Sequence, residues 1–230
     1  RQSGDSLSWA GDWLRDEGAE AQLNADQQKA LRLPFRYPLS LIEGPPGTGK
    51  THLLGWILIA LIRNAQAEGR HLRIAVSALT HQAIDQVLLK VVKLVNAYSL
   101  KNFPVRCIKW GRWEVSQVES ETSAMRVEPS DNREDISASP YLILGATGYG
   151  LYGLFESRYG TFPRFFDWVI FDEASQILVP QALLSLIYGK GNFLFLGDVK
   201  QLPPIVLGEY EETEETADLR KSVLARLLDG

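Results

Sequence analysis

Residues 44–51, GPPGTGKT, combine glycines, a lysine and a hydroxyl at a spacing suited to holding a phosphate chain. Glycines let the backbone curl so that successive N–H groups face inward, and a following helix adds a favourable field for anions at its amino terminus. Lys50 would then neutralise the β- and γ-phosphates, and the Thr51 hydroxyl would bind Mg²⁺. The alternative, a glycine-proline turn before a helix, would not require the complete motif. The predicted nucleoside triphosphate site consists of Gly44, Pro45, Pro46, Gly47, Thr48, Gly49, Lys50 and Thr51.

Two adjacent carboxylates supply the second half of a hydrolytic site. Asp172 and Glu173 directly follow the apolar segment 168–171. If that segment is a strand of a parallel sheet, both lie at its carboxyl edge, where ligands of open α/β folds bind. We expect Asp172 to bind Mg²⁺ and Glu173 to orient and deprotonate the attacking water. The alternative, two acids that cap the next helix, would account for an isolated Asp-Glu pair.

Apolar segments alternate with helical patterns along the chain, which favours a parallel sheet with helices on both faces. The acid-rich segment 114–135 interrupts this alternation and is interpreted as a loop or small subdomain within an insertion around 98–140. A second acidic segment, 209–218, is interpreted as solvated surface. The predicted strands are 38–44, 72–78, 141–146, 168–171 and 193–196, and the predicted helices are 50–66, 81–96 and 222–228.

Composition excludes several classes of protein. One cysteine and three scattered histidines allow no internal disulfide and no cysteine-rich or HExxH-type zinc site. The longest apolar run, 53–62, is far shorter than the roughly 20 residues of a membrane span. We therefore expect an intracellular protein with no membrane partner. The net charge of −4 does not indicate a nucleic-acid binder, although one local basic face would be sufficient for that role.

A basic stretch could provide such a face. Residues 86–113 contain six basic side chains and no acid, with four aromatic residues among them. Cations neutralise phosphates, and exposed aromatic rings stack on bases. The alternative is a solvated helix face with the aromatic rings in the core. The residues concerned are Lys90, Lys93, Lys101, Arg106, Lys109 and Arg112, with Tyr98, Phe103, Trp110 and Trp113, and of these Lys90, Lys109 and Arg112 are taken as nucleic-acid contacts.

The motifs and their surroundings resemble superfamily 1 helicases, in the branch that contains the nonsense-mediated decay helicase and its DNA-processing relatives. The resemblance extends from residue 23 to residue 228. The similar segments are 23–31 (the adenine-reading Q motif), 77–85 (motif Ia), 145–147 (a further nucleic-acid-contact motif), 172–176 (motif II), 197–204 (motif III) and 222–228 (the serine-leucine-rich helix after motif III).

The resemblance implies further site residues. Gln27 would read the adenine edge, and Gln201 would sense the γ-phosphate as a third catalytic residue beside Glu173 and Lys50. Thr80, His81 and Thr147 would contact the phosphates of a bound single strand. Each has an ordinary alternative: Gln27 could be a solvated polar residue, Thr80 and His81 could cap a helix, and Thr147 could belong to a turn.

The resemblance also implies a fold and a function. Residues 23–230, after a lead-in segment 1–22, would form the first RecA-like domain of a P-loop NTPase that uses ATP and Mg²⁺ to move 5′ to 3′ on single-stranded DNA or RNA. A second RecA-like domain, normally in the same polypeptide, would supply arginines to the nucleotide, so these 230 residues alone are predicted to be weakly active. The competing hypothesis is a P-loop ATPase that acts on proteins as a switch or scaffold.

Overall fold

A computed structural model describes residues 22–98, 103–111, 125, 127–155, 162–204 and 218–229. These residues form one sheet of seven parallel strands in the order β1-β7-β6-β2-β5-β3-β4. The strands are β1 (Leu39–Glu43), β2 (Leu72–Ser77), β3 (Arg106–Trp110), β4 (Val127–Ser130), β5 (Tyr141–Gly145), β6 (Phe166–Phe171) and β7 (Gly189–Gly197). The lead-in segment up to residue 21, Arg112, and most of both acidic segments lie outside the described residues.

Helices cover both faces of the sheet, as predicted. Each strand alternates its side chains between two cores: Ile74 packs with the first core and Ala75 with the second. The first core lies under α1, α2 and α3, and the second under α5, α6 and α7. The helices are α1 (Ala25–Leu31), α2 (Lys50–Ala67), α3 (His81–Ala97), α4 (Arg133–Ser137), α5 (Gly148–Phe155), α6 (Val179–Leu186) and α7 (Val223–Asp229).

Helix α2 is buried most deeply, as its uniformly apolar sequence predicts. Trp56, Ile57, Leu58 and Ile59 are successive residues with no exposed surface, so every side of this part of the helix meets protein. Within the described ranges, no helix combines the length and apolar character needed to cross a membrane.

The structure differs from the sequence-based expectation in the 98–140 segment. Its described part contains β3, β4 and α4, and both strands extend the main sheet beyond β5. The segment therefore adds to the main sheet and is not solely a surface loop. Its edge strand β4 contains Pro129, a residue that sheets tolerate at an edge because it lacks a backbone N–H.

All the strands run in one direction, so their carboxyl ends share one edge of the sheet. The segments that follow β1, β7 and β6 contain the predicted nucleotide residues except Gln27, which lies in α1 ahead of β1. The segments that follow β2, β5 and β3 contain predicted nucleic-acid residues. Since neighbouring strands lie about 4.8 Å apart, the five spacings from β1 to β3 extend over roughly 24 Å.

Candidate nucleotide site and nucleic-acid interface

The loop between β1 and α2 has the curled backbone that the sequence predicts. Gly47 and Gly49 have φ angles of 78° and 83°, in the left-handed region that side chains disfavour. The Gly44 N–H donates to the Gly197 carbonyl at 3.1 Å, which anchors the loop to the end of β7. Because α2 begins at Lys50, the loop leads directly into a helix amino terminus, the arrangement suited to phosphate.

Lys50 lies across this loop. Its Nζ donates to the Gly44 carbonyl at 2.6 Å and to the Pro45 carbonyl at 3.3 Å. The Thr48 hydroxyl also donates to the Pro45 carbonyl, at 2.7 Å. These contacts hold the ammonium group at the loop, where phosphate oxygens could replace the two carbonyls as acceptors.

Gln27 contacts the phosphate loop from α1. Its Nε2 donates to the Thr48 carbonyl at 2.8 Å, and its Oε1 accepts from the Asn24 N–H at 3.0 Å. A Cβ on Gly49 would lie only 2.8 Å from the same Nε2. Glycine is therefore required at this position both by the left-handed backbone and by the close approach of the Gln27 side chain. The structure therefore places the Gln27 side chain in contact with the phosphate loop.

Asp172 and Glu173 follow β6 as predicted, and both carry an unsatisfied oxygen. Asp172 is 3% exposed, and within the described chain its Oδ1 and Glu173 Oε2 are buried without a hydrogen-bond partner. Burial, and then the Glu173 charge, raise the pKa of Asp172 to about 6, although the Glu173 backbone N–H and the Lys50 charge oppose this rise. Glu173 precedes a short 3-10 turn (Ala174–Gln176), but its side chain makes no capping hydrogen bond. The capping alternative therefore fails for Glu173.

The unsatisfied oxygen of Asp172 fits a divalent cation. Buried carboxylate oxygens are normally satisfied, and a hard cation with oxygen ligands would satisfy Asp172 Oδ1 and favour ionised Asp172. Among the described residues, no group of three or more His, Cys, Asp or Glu side chains could hold a metal ion. Mg²⁺ would suit this donor set, because it is usually bound by one or two protein groups together with phosphates and water. Asp172 and Thr51 are the residues that would hold it.

The segment after β7 is tied to the segment after β6. The Asp198 N–H donates to Ser175 Oγ at 3.4 Å, and the Asp198 carbonyl accepts from the Gln201 N–H at 3.1 Å. Gln201 lines a cleft of about 770 Å³ that Pro46 of the phosphate loop also lines. The cleft is lined by Pro46, Leu79, Gln176, Gln181, Gln201, Leu202, Pro203 and Pro204.

Thr80, His81 and Thr147 lie at the other half of the same edge. Thr80 caps α3 by accepting the Ala83 N–H at 3.2 Å, and Thr147 accepts the Gly150 N–H at 3.0 Å. The ordinary capping and turn roles of both threonines are therefore present. Each hydroxyl keeps its own proton to donate, so capping is compatible with a phosphate contact.

Lys109 requires a correction. It was predicted to be a direct nucleic-acid contact, but its side chain has no exposed surface and forms an ion pair with buried Asp85 at 3.3 Å. A nucleic-acid strand bound at the surface could not reach the Lys109 ammonium group. No local pattern predicts this pairing, because its carboxylate, Asp85, lies just outside the acid-free stretch that contains Lys109.

The other members of the basic stretch are divided. Lys90 is half-buried against α2, beside Gly55, roughly 13 Å from His81 along α3 at 1.5 Å per residue. Three of the four aromatic rings follow the core alternative: Tyr98 packs on Trp56, Phe103 lies under Arg63, and Trp110 joins the second core. Trp113 lies outside the described residues. Arg112 lies outside the described residues, and its role stays a prediction.

Several residues of this edge were not predicted from the sequence. Gln176 and Gln181 line the cleft. Gln176 belongs to segment 172–176, which the sequence had already placed at the site, but no role was predicted for its side chain. Tyr149, 70% exposed, lines a small cavity with Leu79 and Thr147. The apolar residues Leu79 and Tyr149 gave no periodic signal that would mark them as functional.

Comparison with known proteins identifies the family. A family model described as "AAA domain" matches residues 22–139 and 153–209. The chain is 29% identical over 201 residues to the DNA replication ATP-dependent helicase/nuclease DNA2 of Saccharomyces cerevisiae, covering 84% of this chain and 12% of that protein. It is 27% identical over 235 residues to the ATP-dependent helicase NAM7 of the same yeast, covering 90% of this chain and 23% of that protein.

A solved structure supports the fold. The Type ISP restriction-modification enzyme LlaGI, solved as a nuclease-deletion mutant with a DNA substrate mimic, superposes with a TM-score of 0.51 at 16% identity. The superposition covers 84% of this chain and 19% of that one. The chain belongs to the AAA-domain family, and it is similar over most of its length to the ATP-dependent helicases DNA2 and NAM7.

Proposed function

We propose that this domain binds ATP with Mg²⁺, hydrolyses it, and couples turnover to movement on single-stranded DNA or RNA. One observation carries the proposal. A phosphate loop with its lysine lies at the same sheet edge as two carboxylates, Asp172 and Glu173, that each have a buried, unsatisfied oxygen. These groups complement a metal-bound triphosphate and a water molecule.

The reaction divides among the residues of the edge. The loop N–H groups and Lys50 would bind the phosphates, while Thr51 and Asp172 would hold Mg²⁺, which neutralises phosphate charge when bound. Glu173 would accept a proton from the water that attacks the γ-phosphorus, and the bond to the β-γ bridging oxygen would break. Gln201 would detect the γ-phosphate from the cleft that it lines together with Pro46 of the phosphate loop.

Gln27 provides a means of selecting adenine. Its amide orientation is fixed by two partners, since the Asn24 N–H requires an acceptor and the Thr48 carbonyl a donor. One N–H and one oxygen lone pair remain for a ligand. Adenine offers a matching acceptor at N7 and a donor at N6, whereas guanine offers two acceptors. The fixed amide therefore supports a preference for ATP over GTP.

A competition experiment tests this preference. We expect Gln27→Ala to bind ATP and GTP more equally, because the oriented amide is lost. Gln28→Ala is the matched control, since the Gln28 amide donates to the Leu23 carbonyl and not to the loop. An unchanged ATP preference in Gln27→Ala would contradict the assignment.

The coupling to nucleic acid is tested by turnover. We expect single-stranded DNA or RNA to stimulate phosphate release by the native chain, and Glu173→Gln to remove both basal and stimulated release. Turnover that is unaffected by either strand, in a chain that still hydrolyses ATP, would support the protein switch or scaffold instead.

A further inference from the structure

A buried ion pair lies directly behind the amino terminus of α3. The Lys109 ammonium is 3.3 Å from Asp85 Oδ1, and neither side chain has exposed surface. The same ammonium is 2.8 Å from Nδ1 of His81. His81 and Asp85 are four residues apart and share one face of α3. Lys109 meets this face from β3, on the side where Cys107 joins the core beneath α3.

The chemistry of the contact selects one form of the histidine. A lysine ammonium has three donors and no acceptor, so at 2.8 Å it requires His81 Nδ1 to accept. A neutral imidazole with Nδ1 as acceptor carries its proton on Nε2. Asp85 stabilises the positive charge of Lys109, because a buried ammonium group without a carboxylate is strongly destabilising. It is this charged form of Lys109 that requires His81 Nδ1 to accept.

We propose that Asp85 and Lys109 are positioning residues, which hold His81 as the Nε2–H tautomer so that this N–H donates to a phosphate oxygen of a bound single strand. The inference rests on the proposed function. It makes His81 a neutral hydrogen-bond donor with a fixed orientation toward the phosphate oxygen. Half-buried His81 directly follows exposed Thr80 at the carboxyl edge, where the amino terminus of α3 also favours an anion. Lys109 therefore acts through His81 and not on the strand itself.

The tautomer can be observed directly. The chain contains three histidines, so His52→Gln and His71→Gln assign the remaining imidazole signals in ¹⁵N NMR spectra. We expect the His81 signals to show Nδ1 without a proton and Nε2 with one. In the double variant Asp85→Ala/Lys109→Met, both charges are removed together and an apolar chain of similar length replaces the lysine. We expect the His81 signals in that variant to shift toward a mixture of tautomers.

Binding of single strands tests the role of the His81 Nε2–H donor. His81 is half-buried, so variants at this position should fold like the native chain. A glutamine amide reaches the position of Nε2, whereas an asparagine amide reaches only that of Nδ1. We expect His81→Gln to retain most of its affinity for labelled oligo(dT) or oligo(U), and His81→Asn to bind about tenfold more weakly, the effect of one hydrogen bond to a charged group. ATP affinity should be unchanged in both.

The salt dependence adds a readout that distinguishes a neutral donor from a cation. Loss of a cationic phosphate contact would lower the log–log salt slope by about 0.7, whereas loss of a neutral donor should leave it unchanged. A proton on Nδ1 in the native spectrum, or native affinity in His81→Asn, would overturn the inference while the proposed function stands. A native chain that binds ATP and no single strand would overturn both, and the NMR spectrum would still report the tautomer separately.

Discussion

Glu173 shows how local backbone geometry and chemistry coincide at a single residue. In the described ranges it is the only non-glycine residue with a left-handed backbone, at φ 52° and ψ 41°. This conformation costs an ordinary residue roughly 1–2 kcal/mol. Strain of this kind persists where the surrounding structure holds it, and it is concentrated at functional sites. The strain here lies at the carboxylate that would accept the proton of the attacking water.

Lys50 and Glu173 should fail in different ways when they are altered. Lys50→Ala is expected to weaken binding of a fluorescent ATP analogue, because the cation beside the phosphates is lost. Glu173→Gln is expected to retain binding but lower turnover by roughly 10²–10⁴-fold, because the amide cannot accept a proton. Equilibrium binding and phosphate release measured on both variants would check this. Equal loss of binding in the two would contradict the assigned roles.

Asp172 should make the stability of the nucleotide-free chain depend on pH. Its pKa is raised from 3.8 to about 6, first by burial and then by the Glu173 charge. The folded state therefore binds the proton more tightly than the unfolded chain, so this contribution is fully present below about pH 3.8 and is lost as the pH rises through 6. The shift corresponds to about 3 kcal/mol of unfolding free energy.

Asp172→Asn isolates this effect. Without metal or nucleotide, we expect the variant to gain stability relative to the native chain between pH 4 and pH 6, and to keep a constant advantage above that range. Urea denaturation across pH 4–8 measures the difference. Parallel stability curves for the two chains would be inconsistent with a raised pKa at this carboxyl.

At the scale of elements, the sequence predicted five of the seven strands and missed β3 and β4. The strands β2, β5 and β6 are mainly apolar, with one charged residue each in β2 and β6 near the amino end, because helices cover both faces of the sheet at these positions. The missed strands have a weaker signal: β3 includes the charged residues Arg106 and Lys109, and β4 includes Glu128 and Pro129. Their place in the sheet depends on tertiary partners, such as Asp85 for Lys109 and the ion pair between Arg106 and Glu128.

The two parts of the site also differed in how far the sequence could predict them. The phosphate loop is a contiguous motif whose backbone geometry requires glycine, so its residue types reveal it. The Asp85–Lys109 pair joins residues 24 positions apart on different elements. A stretch without acids therefore looked like a basic surface, although one of its lysines is neutralised in the core. Proximity of this kind is a property of the fold and not of a local pattern.

Tyr149, at the start of α5, is expected to contribute to strand binding. It is 70% exposed and shares a small cavity with Thr147 at the carboxyl edge, where a nucleobase could stack on its ring. We expect Tyr149→Ala to weaken binding of labelled oligonucleotides by about tenfold, within the 1–3 kcal/mol typical of base–aromatic stacking.

Tyr37 provides the matched control for Tyr149. It is 53% exposed but precedes β1, at the amino edge of the sheet. Tyr37→Ala should therefore bind the same oligonucleotides like the native chain in a fluorescence anisotropy assay. Similar losses in both variants would indicate a nonspecific effect and contradict a stacking role for Tyr149.

At the scale of the whole molecule, one sheet edge carries the residues of both proposed sites. Candidate nucleotide groups follow β1, β7 and β6, and candidate nucleic-acid contacts follow β2, β5 and β3. The two sets meet at the β6–β2 pair, where the Asp172 N–H donates to the Ser77 carbonyl at 3.0 Å. Buried Ser77 is also hydrogen-bonded to Ser185 of α6 at 3.1 Å. A change in nucleotide state at Asp172 thus has a short path of contacts to the segment that contains Thr80.

These 230 residues, expressed on their own, are expected to bind ATP but not to unwind a duplex. The phosphate loop, Lys50 and Gln27 would supply most of the proposed nucleotide contacts, so affinity should largely be retained. Turnover should be low, because an arginine finger contributes about 10³–10⁵-fold and the family resemblance assigns those arginines to a second RecA-like domain. Translocation also requires two sites that grip the strand alternately, and one domain provides one. A strand-displacement assay on the purified chain, run beside ATP binding, measures both properties. Efficient ATP-dependent unwinding by these residues alone would show that one RecA-like domain is sufficient.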